Sequence, residues 1–182
     1  MSDLPFDFDT IRTEFSDAAY AAIGRALAFA TRFEANCCAL AAVISLREAM
    51  KTRDASDGES VEDVFERLTQ EYWQLRRLRH HETAVALYVK LPQDLRGILR
   101  AGRLARNEIA HELTLSIAPE IETEAGRSIL LHSLLTAVAK IADADRVVCV
   151  LAHLETREPL PTVAAFEEFP EKVVRWVCDV EE

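Results

Sequence analysis

The segment from Arg103 to Leu113 carries two side chains with the chemistry to act on a phosphate group. Arg106 supplies a guanidinium, which stays protonated and presents a fork of hydrogen-bond donors to phosphate oxygens. His111 supplies an imidazole, which takes up or releases a proton near neutral pH. Asn107 follows the arginine and lies one helical turn before the histidine, on the same helix face. Arg106, Asn107 and His111 are therefore the candidate catalytic residues.

A long helix, at about residues 93 to 115, is predicted to carry this segment. At about 100° per residue, Arg106 projects onto the apolar stripe of that helix. A buried guanidinium without a partner costs roughly several kcal/mol, so an acid is expected beside it. Glu34, on the flank of the apolar stripe of the first helix, is a candidate partner. The stripe of the motif helix has the three- or four-residue spacing of one buried face: Leu95, Ile98, Leu99, Gly102, Ile109 and Leu113.

The sequence Arg106-Asn107-x-x-x-His111 resembles the R-N-x-x-x-H motif of HEPN domains. These are all-helical domains of prokaryotic toxins, phage-defence proteins and some eukaryotic ribonucleases. Ala110 before the histidine, and the position of the motif late in the third of several long helices, add to the likeness, which covers about residues 9–154. Leu113 stands where a common toxin version has a tyrosine, which argues against the subfamily whose antitoxin modifies that tyrosine.

The resemblance implies a bundle that dimerises with its motif helices at the two-fold axis. In catalytic members it also implies endoribonuclease activity that needs no metal and no cofactor. The 2′-hydroxyl of RNA attacks the neighbouring phosphate and leaves a 2′,3′-cyclic phosphate and a 5′-hydroxyl. By this likeness His111 is the general acid or base, Arg106 stabilises the charge of the phosphorane, and Asn107 orients one of them. RNA is then the expected substrate, and an antitoxin protein is an expected partner.

The spacing of Arg106 and His111 raises a geometric problem. On a straight helix, residues five apart are about 140° apart around the axis. One phosphate cannot meet both side chains directly in that arrangement. Two copies of the helix that cross near a two-fold axis can bring both kinds of side chain into one cleft. The sequence therefore predicts a homodimer.

Positive charge is concentrated just before and within the motif. The net charge of the 182-residue chain is −10, which argues against a general nucleic-acid binder. Residues 76–106 nevertheless hold eight basic and two acidic residues, a net charge of +6 that leaves −16 elsewhere. Such a patch steers a polyanion to one place, unless it is a solvated face that pairs with acidic helices of the same bundle. The candidate RNA-binding residues are Arg76, Arg77, Arg79, Arg96, Arg100 and Arg103.

The chain as a whole reads as helical, with no strand-rich region. We predict an all-α, antiparallel bundle of four to five long helices with a short C-terminal helical tail. Its parts are an irregular lead at residues 1–8, the bundle at 9–154, and a proline-containing connector and tail at 155–182.

Local signals set the expected helix ends. The first helix is expected to begin at Asp9 or Thr10 and to end near Met50. Ser60-x-x-Asp63 resembles a capping box and starts a second helix. The fourth helix is expected from about Glu124 to Leu154, and the tail beyond it is expected to form one or two small helices. Pro170 suits the start of one of these.

The composition indicates a cytoplasmic protein. The N-terminal residues lack the basic lead and apolar region of a secretory signal, and no run of about 18 uncharged apolar residues predicts a membrane span. The cysteines form no C-x-x-C pair, so reduced core cysteines are expected. They are Cys37, Cys38, Cys149 and Cys178.

Other interpretations of the motif exist. Glu108-x-x-His111 has the ligand spacing of a di-iron four-helix bundle, but the chain has no second Glu-x-x-His, so no metal site is predicted. The main alternative is a non-catalytic HEPN-like module that binds a nucleotide, nucleic acid or a partner protein. A third interpretation is a regulator that binds nucleic acid through the basic residues without cleaving it.

Overall fold

The computed structural model of the chain is all-α, as the sequence predicted, and no strand occurs among the residues it describes. Those residues are 14–52, 58, 60, 62–64, 66–67, 70, 90–113, 121 and 123–178. The helices are α1 (Glu14–Thr52), α2 (Gln93–Asn107), α3 (Glu124–Thr156) and α4 (Val163–Cys178). The irregular lead and the expected start of the first helix lie outside the described residues.

The core forms around α3, which packs against α1, α2 and α4. Small side chains at helical spacing let the neighbouring helices approach closely, and α1 passes Gly24 without a break. The alanine-rich stripe of the first helix is buried as the pattern predicted: Ala19, Ala22, Ala26, Ala30, Phe33, Cys37, Leu40 and Ile44.

Two sets of polar contacts show that α1 and α3 run in the same direction. Asp145, which is fully buried, accepts hydrogen bonds from Arg32 (3.0 Å) and from Asn36 (2.9 Å). Further along both helices, Arg47 pairs with both carboxylate oxygens of Glu155, at 2.6 and 2.5 Å. Because residue numbers increase together along the two helices, the pair is parallel.

α2 lies very close to α3 at Gly102. A Cβ atom added there would overlap the Cβ of Ala144 and lie 3.3 Å from the carbonyl oxygen of Lys140. Glycine is therefore required by close packing at this crossing rather than by backbone conformation. This contact fixes the height of α2, and so of the motif, relative to α3.

The C-terminal tail forms one helix, α4, that docks on the bundle. It runs antiparallel to α1, since Arg25 Nε donates to the carbonyl oxygen of Val177 (2.9 Å) while Phe29 contacts Phe169 with ring centroids 6.4 Å apart. Contrary to expectation, Pro170 lies inside α4 and not at its start.

An arginine compensates for this interior proline. Pro170 has no N–H to donate to the carbonyl oxygen four residues earlier, which belongs to Phe166. That oxygen instead accepts a hydrogen bond from Arg146 of α3 (3.3 Å), whose guanidinium also lies 4.7 Å from the centre of the Phe166 ring. The contact between helices thus replaces a bond within the helix, and this allows α4 to continue through the proline.

Other helix ends follow the local signals. The Ser60–Asp63 capping box is confirmed, because the amide of Asp63 donates to the Ser60 hydroxyl (3.1 Å) and the Ser60 amide donates back to Asp63 (3.2 Å). The Ser60 hydroxyl also donates to the Asp63 carboxylate (2.6 Å), and this hydrogen bond, followed by that from the Ser60 amide, lowers the pKa of Asp63. α3 begins at the expected Glu124 and continues two residues past Leu154, to Thr156.

One stretch of α1, Asp17–Ser45, is long and apolar enough to cross a bilayer by length and composition, with a mean hydropathy of 1.4. Half of its most apolar window is buried within the protein. Arg32 and Glu34 lie in this stretch and pair with side chains of other helices. The core helix of a soluble protein passes the same test, so the stretch is weak evidence for a membrane span.

Candidate active site

The helix that carries the motif changes its geometry between Arg106 and His111. After Asn107, α2 continues as one turn of π-helix, Glu108–Glu112, in which the amide of Leu113 donates to the carbonyl oxygen of Glu108 (3.0 Å). We refer to Glu108–Glu112 as the π turn. Such turns are rare and often lie at functional sites.

The spacing of apolar residues explains the π turn. Ala105, Ile109 and Leu113 are four residues apart, and all three are buried. An α-helix has 3.6 residues per turn, so a strict spacing of four would move each successive side chain away from the core. The wider turn keeps Ile109 and Leu113 on the buried side.

The π turn also changes the relation between the two candidate catalytic side chains. Because its hydrogen bonds span five residues, each residue advances only about 80–90° around the axis. The angle between Arg106 and His111 falls from about 140° to roughly 80°. His111 is thereby rotated towards the face that carries Arg106, although the two side chains still point in different directions.

Arg106 is directed towards α1, where Glu34 pairs with it. One terminal nitrogen of the guanidinium donates to a Glu34 carboxylate oxygen, and the other donates to Asn107 Oδ1 (3.3 Å). The pairing with Glu34 that the sequence suggested is confirmed. The side chains of Arg106 and Glu34 are 22% and 13% exposed, so the pair lies at the rim of the core and solvent reaches it. These two contacts use two of the five N–H donors of the guanidinium.

His111 is exposed, whereas Asn107 is partly buried and contacts Arg106. Within the described residues the structure therefore brings Arg106, Asn107 and Glu34 together, but leaves His111 beside this group rather than in contact with it. A single chain presents the arginine and the histidine on adjoining faces of one helix.

The predicted basic face is present in part. Arg96 and Arg100 are exposed and Arg103 is partly buried, all on the side of α2 that leads to Asn107 and His111. The Nε of Arg96 donates to the carbonyl oxygen of Leu91 (2.8 Å), so this side chain also secures the start of α2. The other three candidates, Arg76, Arg77 and Arg79, lie outside the described residues.

Sequence reasoning missed two features of this site. The π turn is the first, although the four-residue spacing of Ala105, Ile109 and Leu113 signalled it. The second is the place of Cys38 next to Glu34, one turn later on α1, although the sequence did predict a buried cysteine here. Burial, with a further contribution from the negative charge of Glu34, raises the pKa of the Cys38 thiol to about 11. The thiol is therefore neutral at physiological pH and adds no charge beside Glu34.

Two further observations bear on the interpretation of the site. Among the described residues, no group of three His, Cys, Asp or Glu side chains is placed to bind one metal ion. No protein-family model, no curated protein and no solved structure matches the chain. The HEPN likeness therefore rests on the motif residues and on the all-α architecture, and any function drawn from it is a proposal.

Proposed function

We propose that this chain is a HEPN-like, metal-independent endoribonuclease of the toxin or phage-defence type, active as a homodimer. The observation that carries the proposal is the π turn between Arg106 and His111, which brings the faces of these two residues closer than an α-helix allows. A guanidinium with unused donors and a solvent-exposed imidazole then lie on adjoining faces of one helix. These are the two groups that cleavage of RNA through its 2′-hydroxyl requires.

Each group has one task in the reaction. The 2′-oxygen attacks the adjacent phosphorus, the bond from phosphorus to the 5′-oxygen breaks, and the 2′-proton is removed as the 5′-oxygen gains one. His111 transfers a proton at one of these oxygens, and Arg106 donates hydrogen bonds to the phosphorane oxygens. The products are a 2′,3′-cyclic phosphate and a 5′-hydroxyl.

Glu34 and Asn107 hold the guanidinium in this scheme. An arginine side chain with no partner loses rotamer freedom when it binds a phosphate. Here Glu34 and Asn107 each engage one terminal nitrogen, so the guanidinium plane is already set before RNA arrives. The remaining donors can contact the phosphate.

An exposed leucine supports the homodimer. Leu104 directly follows Arg103 of the basic face, and it is 51% exposed although it is a large apolar residue. It is on the outward side of α2, two turns before His111. A second copy packed across a two-fold axis here would cover Leu104.

RNA cleavage in the presence of a chelator tests the reaction. Wild-type protein is expected to cut RNA and leave 2′,3′-cyclic phosphate ends. His111→Ala and Arg106→Ala are each expected to reduce the rate by about 100-fold or more. The matched control is His132→Ala, which removes an exposed histidine from α3 and should leave the rate unchanged. Undiminished cleavage by His111→Ala would exclude the proposed role of the histidine.

Sedimentation analysis tests the dimer. Leu104→Glu is expected to convert the dimer to a monomer and to abolish cleavage, because a charge would be buried at the interface. Leu154→Glu is the control, since Leu154 of α3 is exposed to a similar degree, 59%. A wild-type protein that is monomeric at micromolar concentration would contradict this form of the site.

A second candidate is a non-catalytic HEPN-like module that binds a nucleotide, nucleic acid or a partner protein. The observation that favours it is the ion pair itself, since Glu34 partly neutralises Arg106 while His111 faces solvent. The cleavage assay separates the two candidates. Wild-type protein that binds RNA with steep salt dependence, but never cuts it, would support the module.

A further inference from the structure

A cavity of about 290 Å³ lies between α1 and α3. It is lined by residues from Asn36 onwards in α1 and from Val148 onwards in α3. It is separate from the motif. Its walls are mostly apolar, and they are formed by Ala39, Leu40, Val43, Val148 and Ala152. This volume is near the lower limit of about 300 Å³ for pockets that hold small molecules.

Two sets of polar contacts, which we call the clamps, join α1 to α3 at the two ends of the cavity. The hydrogen bonds of Arg32 and Asn36 to Asp145 join the helices at one end, and the Arg47–Glu155 pair joins them at the other. Between the clamps the helices present small side chains, which leave the space unfilled. The cavity is therefore built into the pairing of the two helices.

A buried histidine nitrogen and an exposed carboxylate lie beside the cavity. Nδ1 of His153 is buried and has no hydrogen-bond partner, and the nearest acid oxygen, Oε2 of Glu158, is 3.8 Å away. Arg157 adopts a left-handed conformation (φ 59°), and the amide of Glu158 then donates to the carbonyl oxygen of His153 (3.0 Å). This turn holds the Glu158 carboxylate at the rim.

The charges around the cavity leave a net negative rim. The carboxylate of Asp145 is paired with Arg32, and that of Glu155 with Arg47. The carboxylate of Glu158 has no basic partner other than His153 among the described residues. The cavity wall is otherwise neutral, since burial, with a further contribution from Asp145, raises the pKa of the Cys149 thiol.

We propose that this cavity binds a small organic amine. The apolar part of the amine would lie between α1 and α3, and its ammonium group would donate a hydrogen bond to the Glu158 carboxylate. An ammonium has three donors and no acceptor, so it can pair with the Glu158 carboxylate while its other donors remain hydrated. A carboxylic acid of the same size would instead face Glu158 with a like charge. This site does not depend on the ribonuclease activity.

Titration calorimetry and NMR with 2-phenylethylamine and the size-matched acid 3-phenylpropionate test the site. We expect saturable binding of the amine with a Kd of about 1 mM or lower, and binding of the acid at least about tenfold weaker. The NMR signals of the Val148 and Ala152 methyl groups should shift with the amine. Absence of saturable amine binding, or equal affinity for the acid, would overturn the proposal.

Two variants locate the binding. Glu158→Gln changes an exposed side chain and should weaken amine binding about tenfold. Glu167→Gln, an exposed acid of α4, is the matched control and should bind as wild type. Ala39→Phe should fill the cavity and block the amine, with the helical circular dichroism spectrum unchanged. Wild-type affinity in either Glu158→Gln or Ala39→Phe would show that the amine binds elsewhere.

Discussion

Two residues of α1 that are two positions apart, Arg32 and Glu34, each form an ion pair with another helix. The two pairs differ in burial and in the number of hydrogen bonds to their charged groups. Arg32 pairs with Asp145 of α3, and Glu34 pairs with Arg106 of α2. In the first pair the acid is fully buried, and both of its oxygens accept hydrogen bonds, one from Arg32 and one from Asn36. In the second pair both partners are at the rim of the core.

The guanidiniums differ as well. Arg32 is 54% exposed, and its guanidinium lies 5.2 Å from the Phe29 ring centre and 5.8 Å from that of Phe169. Its interactions join three helices, which is a structural task. Arg106 contacts a carboxylate and an amide, and it lies beside a distorted turn and an exposed histidine. The comparison indicates that a fully satisfied buried pair holds the fold, while a rim pair with unused donors is available to a ligand.

The largest expected difference between the pairs is in RNA cleavage. Arg106→Lys should reduce the cleavage rate by about 100-fold, because an ammonium lacks the fork of donors that a phosphorane requires. Arg32→Lys should leave the cleavage rate within about twofold of wild type, because Arg32 contacts Asp145 and Phe169 and not the motif residues. Equal losses in the two variants, measured on folded protein, would remove the distinction.

Stability should show the reverse order. Arg32→Ala leaves the buried Asp145 carboxylate without its cation, and should lower the free energy of unfolding by about 3 kcal/mol. Arg106→Ala should cost about 1–2 kcal/mol, because Glu34 retains contact with water. Urea denaturation measures both values. A larger cost for Arg106→Ala would mean that the Glu34 pair is the principal structural contact.

A substitution at Gly102, where α2 crosses α3, should displace the Arg106–Glu34 pair and leave the Arg32–Asp145 pair in place. Gly102→Ala should destabilise the protein by about 1–3 kcal/mol, because the new methyl group forces α2 away from Ala144. Gly97→Ala is the matched control in the same helix. No atom lies within 4 Å of its added Cβ, so it should stabilise by about 0.5–1 kcal/mol.

The Gly102 variant should also reduce RNA cleavage, since α2 carries Arg106 away from Glu34. Amine binding between α1 and α3 should persist, because Asp145 and its partners remain in place. Loss of both properties would indicate general unfolding rather than a local shift.

The smallest expected effect is on the pKa values of two thiols. Cys38 follows Glu34 by one helical turn, and Cys149 follows Asp145 by one turn. Burial first, and Glu34 second, raise the pKa of Cys38 to about 11 from an ordinary 9.0. Glu34→Gln should therefore lower this pKa while burial keeps it above 9.0. Asp145→Asn should similarly lower the pKa of Cys149. The pH dependence of the cysteine ¹³Cβ NMR signals measures both values, and unchanged titrations would contradict the placement of the charges.

The same thiol predicts a dependence of stability on pH. A group whose pKa is raised by folding stabilises the fold below its unfolded pKa, and this contribution is lost as the pH rises. For Cys38 the loss should fall between about pH 9 and 11. Cys38→Ala should flatten this part of the curve of unfolding free energy against pH.

The sequence by itself determined the helices and one important contact. Helical spacing gave the buried stripes of α1 and α2, and the Ser60–Asp63 pattern gave a helix start, because these signals depend on residues close in the chain. A guanidinium on an apolar face required an acid, and Glu34 was a suitable choice. The motif residues and the HEPN likeness also came from the sequence alone.

Tertiary structure decided the rest. The continuation of α4 through Pro170 depends on Arg146 of another helix, and the π turn depends on which side chains meet the core. The cavity depends on the parallel pairing of α1 and α3 through Asp145. These features require partners that are distant in sequence, and a local pattern cannot name such partners, because the same residues pack differently against different neighbours.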